Sequence, residues 1–160
     1  MHELEVVGVR IELPSNQPLV LLKELNSARH LPIWIGAPEA SAIAMFQQGL
    51  VPPRPLTHDL MISTLQALHA PLVRVEIVSV LNAVFTAELV FADEVRVDAR
   101  SSDAIALALR AECPILCDEG VLQEASVMVS DDSEVGEGEE DQVREFREFL
   151  NEVEPEDFDK

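Results

Sequence analysis

The chain has 160 residues, 48% of them apolar, which is enough for one packed domain with an appendage and excludes a wholly disordered chain. No apolar run approaches the ~20 residues of a membrane span, and the opening Met1-His2-Glu3-Leu4-Glu5 lacks the basic-then-apolar shape of a signal peptide, so a soluble cytoplasmic protein is expected. Thirty acids against eleven Lys and Arg give a net charge of −19, of which residues 131–160 carry −11. Such a surface repels phosphate at long range, so any contact with nucleic acid needs a local basic patch or bound cations.

Val7, Val9, Ile11 and Leu13 alternate with Gly8, Arg10 and Glu12, the period of a strand with one buried face. A turn over residues 14–18 leads to second and third apolar runs at 19–25 and 31–35. Pro38 sits in the first turn of a helix that runs to Gln48 and closes at Gly49. Pro52, Pro53 and Pro55 then forbid another helix until Thr57, which can cap one with the stripe Leu60, Met61, Thr64, Leu65 and Leu68. Val73, Val75 and Ile77, then Phe85, Ala87, Leu89 and Phe91, alternate as strands on either side of a turn at Asn82. Val95 and Val97 form a short third strand. Ser101 or Ser102 caps a helix reaching Glu112, apolar nearly all round and therefore buried. A brief strand at 114–116 and a short helix at 118–125 follow.

Laid on itself at an offset of 64, the chain matches residues 9–45 to 73–109 at eleven of 37 positions without a gap. Chance at ordinary residue frequencies gives about three. Arg10 and Glu12 fall on Arg74 and Glu76, Glu24-Leu25 on Glu88-Leu89, and Ala40, Ala42 and Ala44 on Ala104, Ala106 and Ala108. The fold expected is α/β (mixed α+β) over residues 1–130. A three-strand, two-helix unit is duplicated in halves of about 4–69 and 70–126, and its strands form one mixed, barrel-like sheet with helices packed on it. Residues 131–141 read as an acidic linker and 142–160 as an acidic tail, in which Val143, Phe146, Leu150 and Val153 have the spacing of a short amphipathic helix. That helix either docks on its own domain or a second copy, or binds a protein partner.

There is no glycine-rich phosphate loop, His-Glu-x-x-His helix or Gly-x-Ser-x-Gly elbow, and His2, His30 and His69 have no companions that suggest ligation. Cys113 and Cys117 have neither redox nor zinc spacing and are expected to be inert. Trp34 reads as core or interface rather than as a base-stacking platform.

Two stretches can carry chemistry. In Arg54-Pro55-Leu56-Thr57-His58-Asp59-Leu60, a helix start with Arg54 and Thr57 can hold a phosphate, His58 can move protons near neutral pH, and Asp59 can bind a cation. The alternative is structural: Thr57 caps, Asp59 offsets the helix dipole, and Arg54 pairs with an acid. In the second stretch Arg100 precedes Ser101, Ser102 and Asp103 at another helix start. Under the offset Asp103 lies on Glu39, so a pseudo-two-fold axis joining those starts lets Glu39 and Asp103 share a divalent cation. Taken separately, each acid simply sits where the helix dipole prefers one.

These stretches resemble the bifunctional nuclease domain proteins. The matching pieces are Leu31-Pro32-Ile33-Trp34-Ile35-Gly36 with Glu39-Ala40, then Arg54 through Leu60, then Arg100 with Ser102-Asp103-Ala104-Ile105-Ala106-Leu107-Ala108, then Pro114-Ile115. Ser101 stands where the family's usual Arg-Pro-Ser-Asp has proline, which loosens the helix start and keeps the charged groups. The resemblance implies a duplicated barrel-like fold, a cytoplasmic and often dimeric protein, and hydrolysis of phosphodiesters in both DNA and RNA.

Two readings follow. In the first, a metal-assisted nuclease, His58, Asp59 and Asp103 are catalytic and Arg54, Thr57, Arg100 and Ser102 hold nucleic acid. Glu39 and Asp103 bind Mg²⁺ or Mn²⁺, with no organic cofactor. In the second, a non-catalytic adaptor, the acidic tail engages a protein partner and the arginine–acid motifs only lock loops. A small-molecule pocket between the halves is a third, less specified option. The nuclease reading requires the loops at Arg54 and Arg100 to face one cleft.

Overall fold

The computed structural model describes residues 1–130; the predicted acidic linker and tail helix lie outside the described residues. Strands β1 (His2–Glu12), β2 (Gln17–Glu24) and β3 (Arg29–Trp34) precede helices α1 (Ala37–Gln47) and α2 (Thr57–Ala67). Strands β4 (Arg74–Leu81), β5 (Val84–Val90) and β6 (Arg96–Arg100) then lead to α3 (Ser101–Ala111), β7 (Ile115–Cys117), α4 (Glu119–Ala125) and β8 (Val127–Met128).

The strands form one mixed sheet in the order β6-β5-β4-β7-β1-β2-β3-β8, antiparallel except where β4 meets β7. Helix α4 packs on both β3 and β4, four places apart in that order, so the sheet curls strongly around it. No ladder joins the end strands β6 and β8 among the described residues, so the curl stops short of a closed barrel.

The sheet's inner face and the helices enclose one core. Helix α1 lies on β1 and β2, while α3 lies on β4, β5 and β6. Helix α3 is covered by the sheet on one side and by α1 and α2 on others, so Ala104 through Ala108 are all buried, as its apolar circumference predicts. Buried alanines on both helices, Ala40 and Ala42 on α1 and Ala104, Ala106 and Ala108 on α3, keep the packed helices slim where α1 and α3 meet.

Several expectations need correction. Of the four residues expected to form the inner face of β1, only Val9 packs on the core. Val7 is the unpaired residue of a bulge between Val6 and Gly8, and Ile11 and Leu13 are exposed at the outer end of the hairpin; Leu4 and Gly8 are the buried positions. The stripe expected on α2 also faces largely outward. Ile62 is buried and Leu65 half-buried, whereas Leu60, Met61, Thr64 and Leu68 are exposed, because among the described residues α2 packs chiefly on α3.

The 64-residue offset fits α1 and α3 and not the hairpins. Helices α1 and α3 each have 11 residues, and Ala37 and Ser101 stand 64 apart. Strands β1 and β4 end at Glu12 and Leu81, 69 apart, and Arg10-Ile11-Glu12 closes β1 where Arg74-Val75-Glu76 opens β4. The strongest strand matches in the sequence therefore occupy different places in the sheet.

Candidate active site

Three helix starts build the site. Gly36, the N-cap of α1, has ordinary extended dihedrals (φ −73°, ψ 157°), so it is not needed for its backbone. A Cβ there would collide with a carboxylate oxygen of Glu39, so the bare Cα gives that side chain room to fold back over the helix start.

At α2 the N-cap is Leu56, not Thr57. The exposed Thr57 is the first helical residue, and Asp59 Oδ2 accepts a hydrogen bond from the Leu56 backbone N–H at 3.1 Å. At α3 the N-cap is Arg100, and the serines expected to cap are the first two helical residues, both buried. Neither cap side chain bonds a backbone N–H of its own first turn, and these helix starts hold charged side chains of the next turn instead.

The first turns of α1, α2 and α3 meet through one hydrogen-bonded run. Arg100 Nη2 donates to Glu39 Oε1 at 2.8 Å, and Arg100 Nε donates to Asp103 Oδ2 at 2.8 Å. Asp103 Oδ1 lies 2.9 Å from His58 Nε2. A carboxylate only accepts, so Nε2 carries the proton and Nδ1 of a neutral His58 is left as a base. The Glu39 and His58 side chains are largely buried, at 14% and 16% exposure, while the Arg100 side chain is 68% exposed despite its two partners. Asp103 first, then Glu39, raise the Arg100 guanidinium further above its already high range.

Of the residues expected to bind a cation, Glu39 and Asp103 do come together, and the cation they share is the guanidinium of Arg100. No group of three or more His, Cys, Asp or Glu side chains suited to a metal ion occurs among the described residues. As arranged, both carboxylates bind the guanidinium, and Mg²⁺ or Mn²⁺, whose hard-ligand shells need open oxygens, would require Arg100 to move off them.

Asp59, expected to bind a cation, pairs with Arg110, Nε to Oδ1 at 2.7 Å. Burial would raise the Asp59 carboxyl, but hydrogen bonds from Arg110 and the Leu56 N–H, with the Arg110 charge, hold it below the usual carboxylate range. Arg110 also donates to the carbonyls of Ala42 and Ala106, each at 2.9 Å, and lies 5.6 Å from the ring centroid of Phe46. It therefore ties α1, α2 and α3 from inside, with its side chain only 8% exposed. Sequence reasoning missed it, although an arginine ending an otherwise buried apolar helix was a visible signal.

Arg54 and Thr57 are exposed on and just after the loop before α2, and Arg54 makes no ion pair among the described residues. Ser102 is buried and lines a cleft of about 380 Å³ beside Arg100, together with Trp34 and Phe85. Trp34, expected in the core or an interface, is only half-buried there.

His2, expected to have no companions that suggest ligation, lies between Glu24 and Glu119 at 2.7 Å from each, beside Arg29, which pairs with both acids. Burial first pushes the Cys117 thiol up to about 12 and Cys113 up to about 11, in keeping with inert sulfurs. No helix among the described residues is long and apolar enough to cross a membrane.

Comparison with known proteins places this geometry in a family. Residues 20–130 match the bifunctional nuclease domain, a span that contains Glu39, His58, Arg100 and Asp103. Two Mycobacterium tuberculosis proteins, Uncharacterized protein MT1877 of strain CDC 1551 / Oshkosh and Uncharacterized protein Rv1829 of strain ATCC 25618 / H37Rv, are similar along their whole length. Each is 48% identical over 161 residues, covering 99% of this chain and 98% of the relative. With the matched domain spanning most of its length, the chain belongs to the bifunctional nuclease domain family.

Proposed function

We propose that the Glu39–Arg100–Asp103–His58 array hydrolyses phosphodiester bonds of DNA or RNA. The observation that supports this is the hydrogen-bonded run across three helix starts, which joins residues far apart in sequence around a proton carrier and an arginine fork. His58 acts as general base. Its Nδ1 takes a proton from water as the water oxygen bonds to phosphorus and the bond to the leaving sugar oxygen breaks. Asp103 fixes the tautomer and steadies the imidazolium that forms.

Arg100 uses Nε and Nη2 on carboxylates, while Nη1 makes no hydrogen bond to a described residue and can donate to a phosphate oxygen. Two carboxylates against one guanidinium leave the array with a formal −1 when His58 is neutral. Phosphate is therefore held by directed donors, Arg100 with Arg54 of the loop before α2 and Thr57 at the start of α2, rather than by a positive field. Mg²⁺ or Mn²⁺ at Glu39 and Asp103 is a separate proposal, because it requires Arg100 to be displaced.

The test is cleavage of labelled single-stranded and duplex oligonucleotides. His58→Ala and Asp103→Asn are each expected to lower the rate by ~10²-fold or more. Arg100→Lys, which keeps the charge but loses the fork, is expected to lower it too. Equal rates for wild type and His58→Ala overturn the reading. An unchanged rate in EDTA favours the guanidinium site, and a strict demand for Mg²⁺ favours the shared cation.

A second reading, an interaction module or homodimer, draws on the exposed apolar face of α2. Leu60, Met61 and Leu68 lie uncovered there, and Met61 also lines a groove of about 430 Å³ with Val95 and Val97. A monomer by light scattering together with no detectable cleavage would favour an adaptor; a dimer dissociated by Leu68→Glu would favour self-association. Origin of the two halves from one duplicated unit is a further proposal, supported by the equal lengths and 64-residue offset of α1 and α3.

A further inference from the structure

Ser101 and Ser102 open α3 and are only 6% and 7% exposed. Neither hydroxyl has a hydrogen-bond partner among the described residues. Burying a hydroxyl without a partner is costly, and alanine would suit these helical positions better on propensity alone. No side-chain oxygen sealed from solvent lacks a partner among the described residues, so each of these hydroxyls reaches open space. The space that both serines line is the cleft of about 380 Å³.

Other unused donors border the same cleft. Gln17, the first residue of β2, lines it, and its amide has no partner among the described residues. Helix α3 has 11 residues and no side-chain cap, so the N–H groups of its first turn add positive dipole beside the hydroxyls. Arg100 lines the cleft as well, with Nη1 unused. Glu39 and Asp103, which take its Nη2 and Nε, do not line it. Two hydroxyls, an amide, a helix start and a guanidinium edge suit an oxyanion.

We infer that this cleft holds the terminal phosphate of a nucleic-acid strand: Ser101, Ser102 and Gln17 bind the end group while Arg100 reaches the first internal phosphodiester. The substrate class is then a phosphorylated strand end. Cleavage at that end rests on the hydrolysis proposed above, and binding of the phosphate does not. A group must enter the cleft to meet hydroxyls that are so nearly buried. An internal phosphodiester would have to lead the chain out in two directions, whereas a terminal phosphate needs one exit and offers three free oxygens. The volume lies at the lower end of the ~300–1,000 Å³ typical of small-ligand sites, room for a strand end and too little for a duplex. The formal −1 of the neighbouring array leaves the binding to directed donors, so affinity should depend on each of them.

The full-length His58→Ala protein separates binding from turnover. It is titrated by fluorescence anisotropy with dye-labelled single-stranded hexanucleotides that carry a 5′-phosphate, a 3′-phosphate or neither, and with inorganic phosphate as competitor. At least one phosphorylated strand is expected to bind tenfold or more tightly than the unphosphorylated one. Ser101→Ala with Ser102→Ala should erase that preference, since each lost hydrogen bond to a charged group is worth about tenfold or more. The melting temperature of this double variant should equal or exceed that of its parent, because the hydroxyls have no protein partner to lose. Gln17→Ala, on a different element, should narrow the preference without erasing it. Equal affinity for all three strands, or a preference that survives the double substitution, overturns the site. A fall in the double variant's melting temperature does so too, by making the hydroxyls structural. Inorganic phosphate bound as tightly as the phosphorylated strand overturns the strand end in favour of a free anion. Phosphate-dependent binding with no cleavage by wild type removes the hydrolysis and keeps the site. Cleavage by wild type without phosphate-dependent binding does the reverse.

Discussion

Arg110 shows how one buried guanidinium can fix the position of a neighbour's side chain. It satisfies Asp59 and the Ala42 carbonyl, so the helix that carries His58 is held against the two that carry Glu39 and Asp103. Replacing it with methionine keeps the apolar stem but strands a carboxylate that is only 29% exposed. Breaking such a pair should cost about 2–3 kcal/mol, below the range for fully buried pairs because Asp59 retains some water. The sign with pH follows from Asp59, whose carboxyl is held low in the folded protein. Its contribution is complete above the unfolded value of about 3.9 and is lost as pH falls through the lower folded value. The deficit of Arg110→Met in urea denaturation is therefore expected to be full at pH 7 and to shrink below about pH 4. A deficit that stays constant would mean that Asp59 is not the partner that matters. Reading the sequence put Asp59 in the site as a carboxylate at the same helix start as His58. A helix turns ~100° per residue, so adjacent residues point to different neighbours, and only coordinates show which one meets Arg110.

At the scale of elements, the helices were more legible than the strands. The alanine-rich circumference of α3 and the proline at the start of α1 are local signals, and both helices lie within a residue or two of where those signals put them. The inner face of β1 was not legible, because the bulge at Val7 is set by pairing with β2 and shifts the alternation partway along the strand. The start of α1 makes a sharp prediction. In Gly36→Ala the backbone is already suitable, and the new methyl meets only the mobile end of Glu39. Stability should change by less than about 1 kcal/mol, the size of an ordinary glycine-to-alanine effect. The Glu39 carboxylate must move off Arg100, so cleavage should fall to the level of Glu39→Gln while the melting temperature stays near wild type. A large fall in melting temperature would instead make Gly36 a packing position.

Over the whole molecule, two knots of charge secure the ends of the sheet order. Arg29 on β3 pairs with Glu24 on β2 and Glu119 on α4, with His2 of β1 against both acids. At the other end Arg74 and Arg96 share Glu76, a nearly buried acid on β4, and reach Glu94 and Glu88. The sequence showed these residues as an acidic excess and hid the pairing, because partners such as Arg29 and Glu119 lie 90 positions apart. Net charge and pairing make opposite predictions for acid. If self-repulsion at −19 dominates, protonation relieves it and the protein gains stability as pH falls. If the knots dominate, stability is lost. The Arg29 hydrogen bonds bring Glu24 and Glu119 down to about 2, and Glu76 and Glu94 are also lowered, chiefly by Arg96 and Arg74 respectively. Lowered folded values confer stability above the unfolded carboxylate range and lose it as pH drops through them. The knots should win, because Glu24 is held by two short hydrogen bonds with its side chain only 9% exposed, whereas diffuse surface repulsion is screened within about 8 Å at physiological salt. Urea midpoints should be level from pH 8 to 5 and fall steadily from about 4.5 toward 2. Glu24→Gln should start lower and fall less over that window, and a midpoint that rises toward pH 3 would give the decision to self-repulsion.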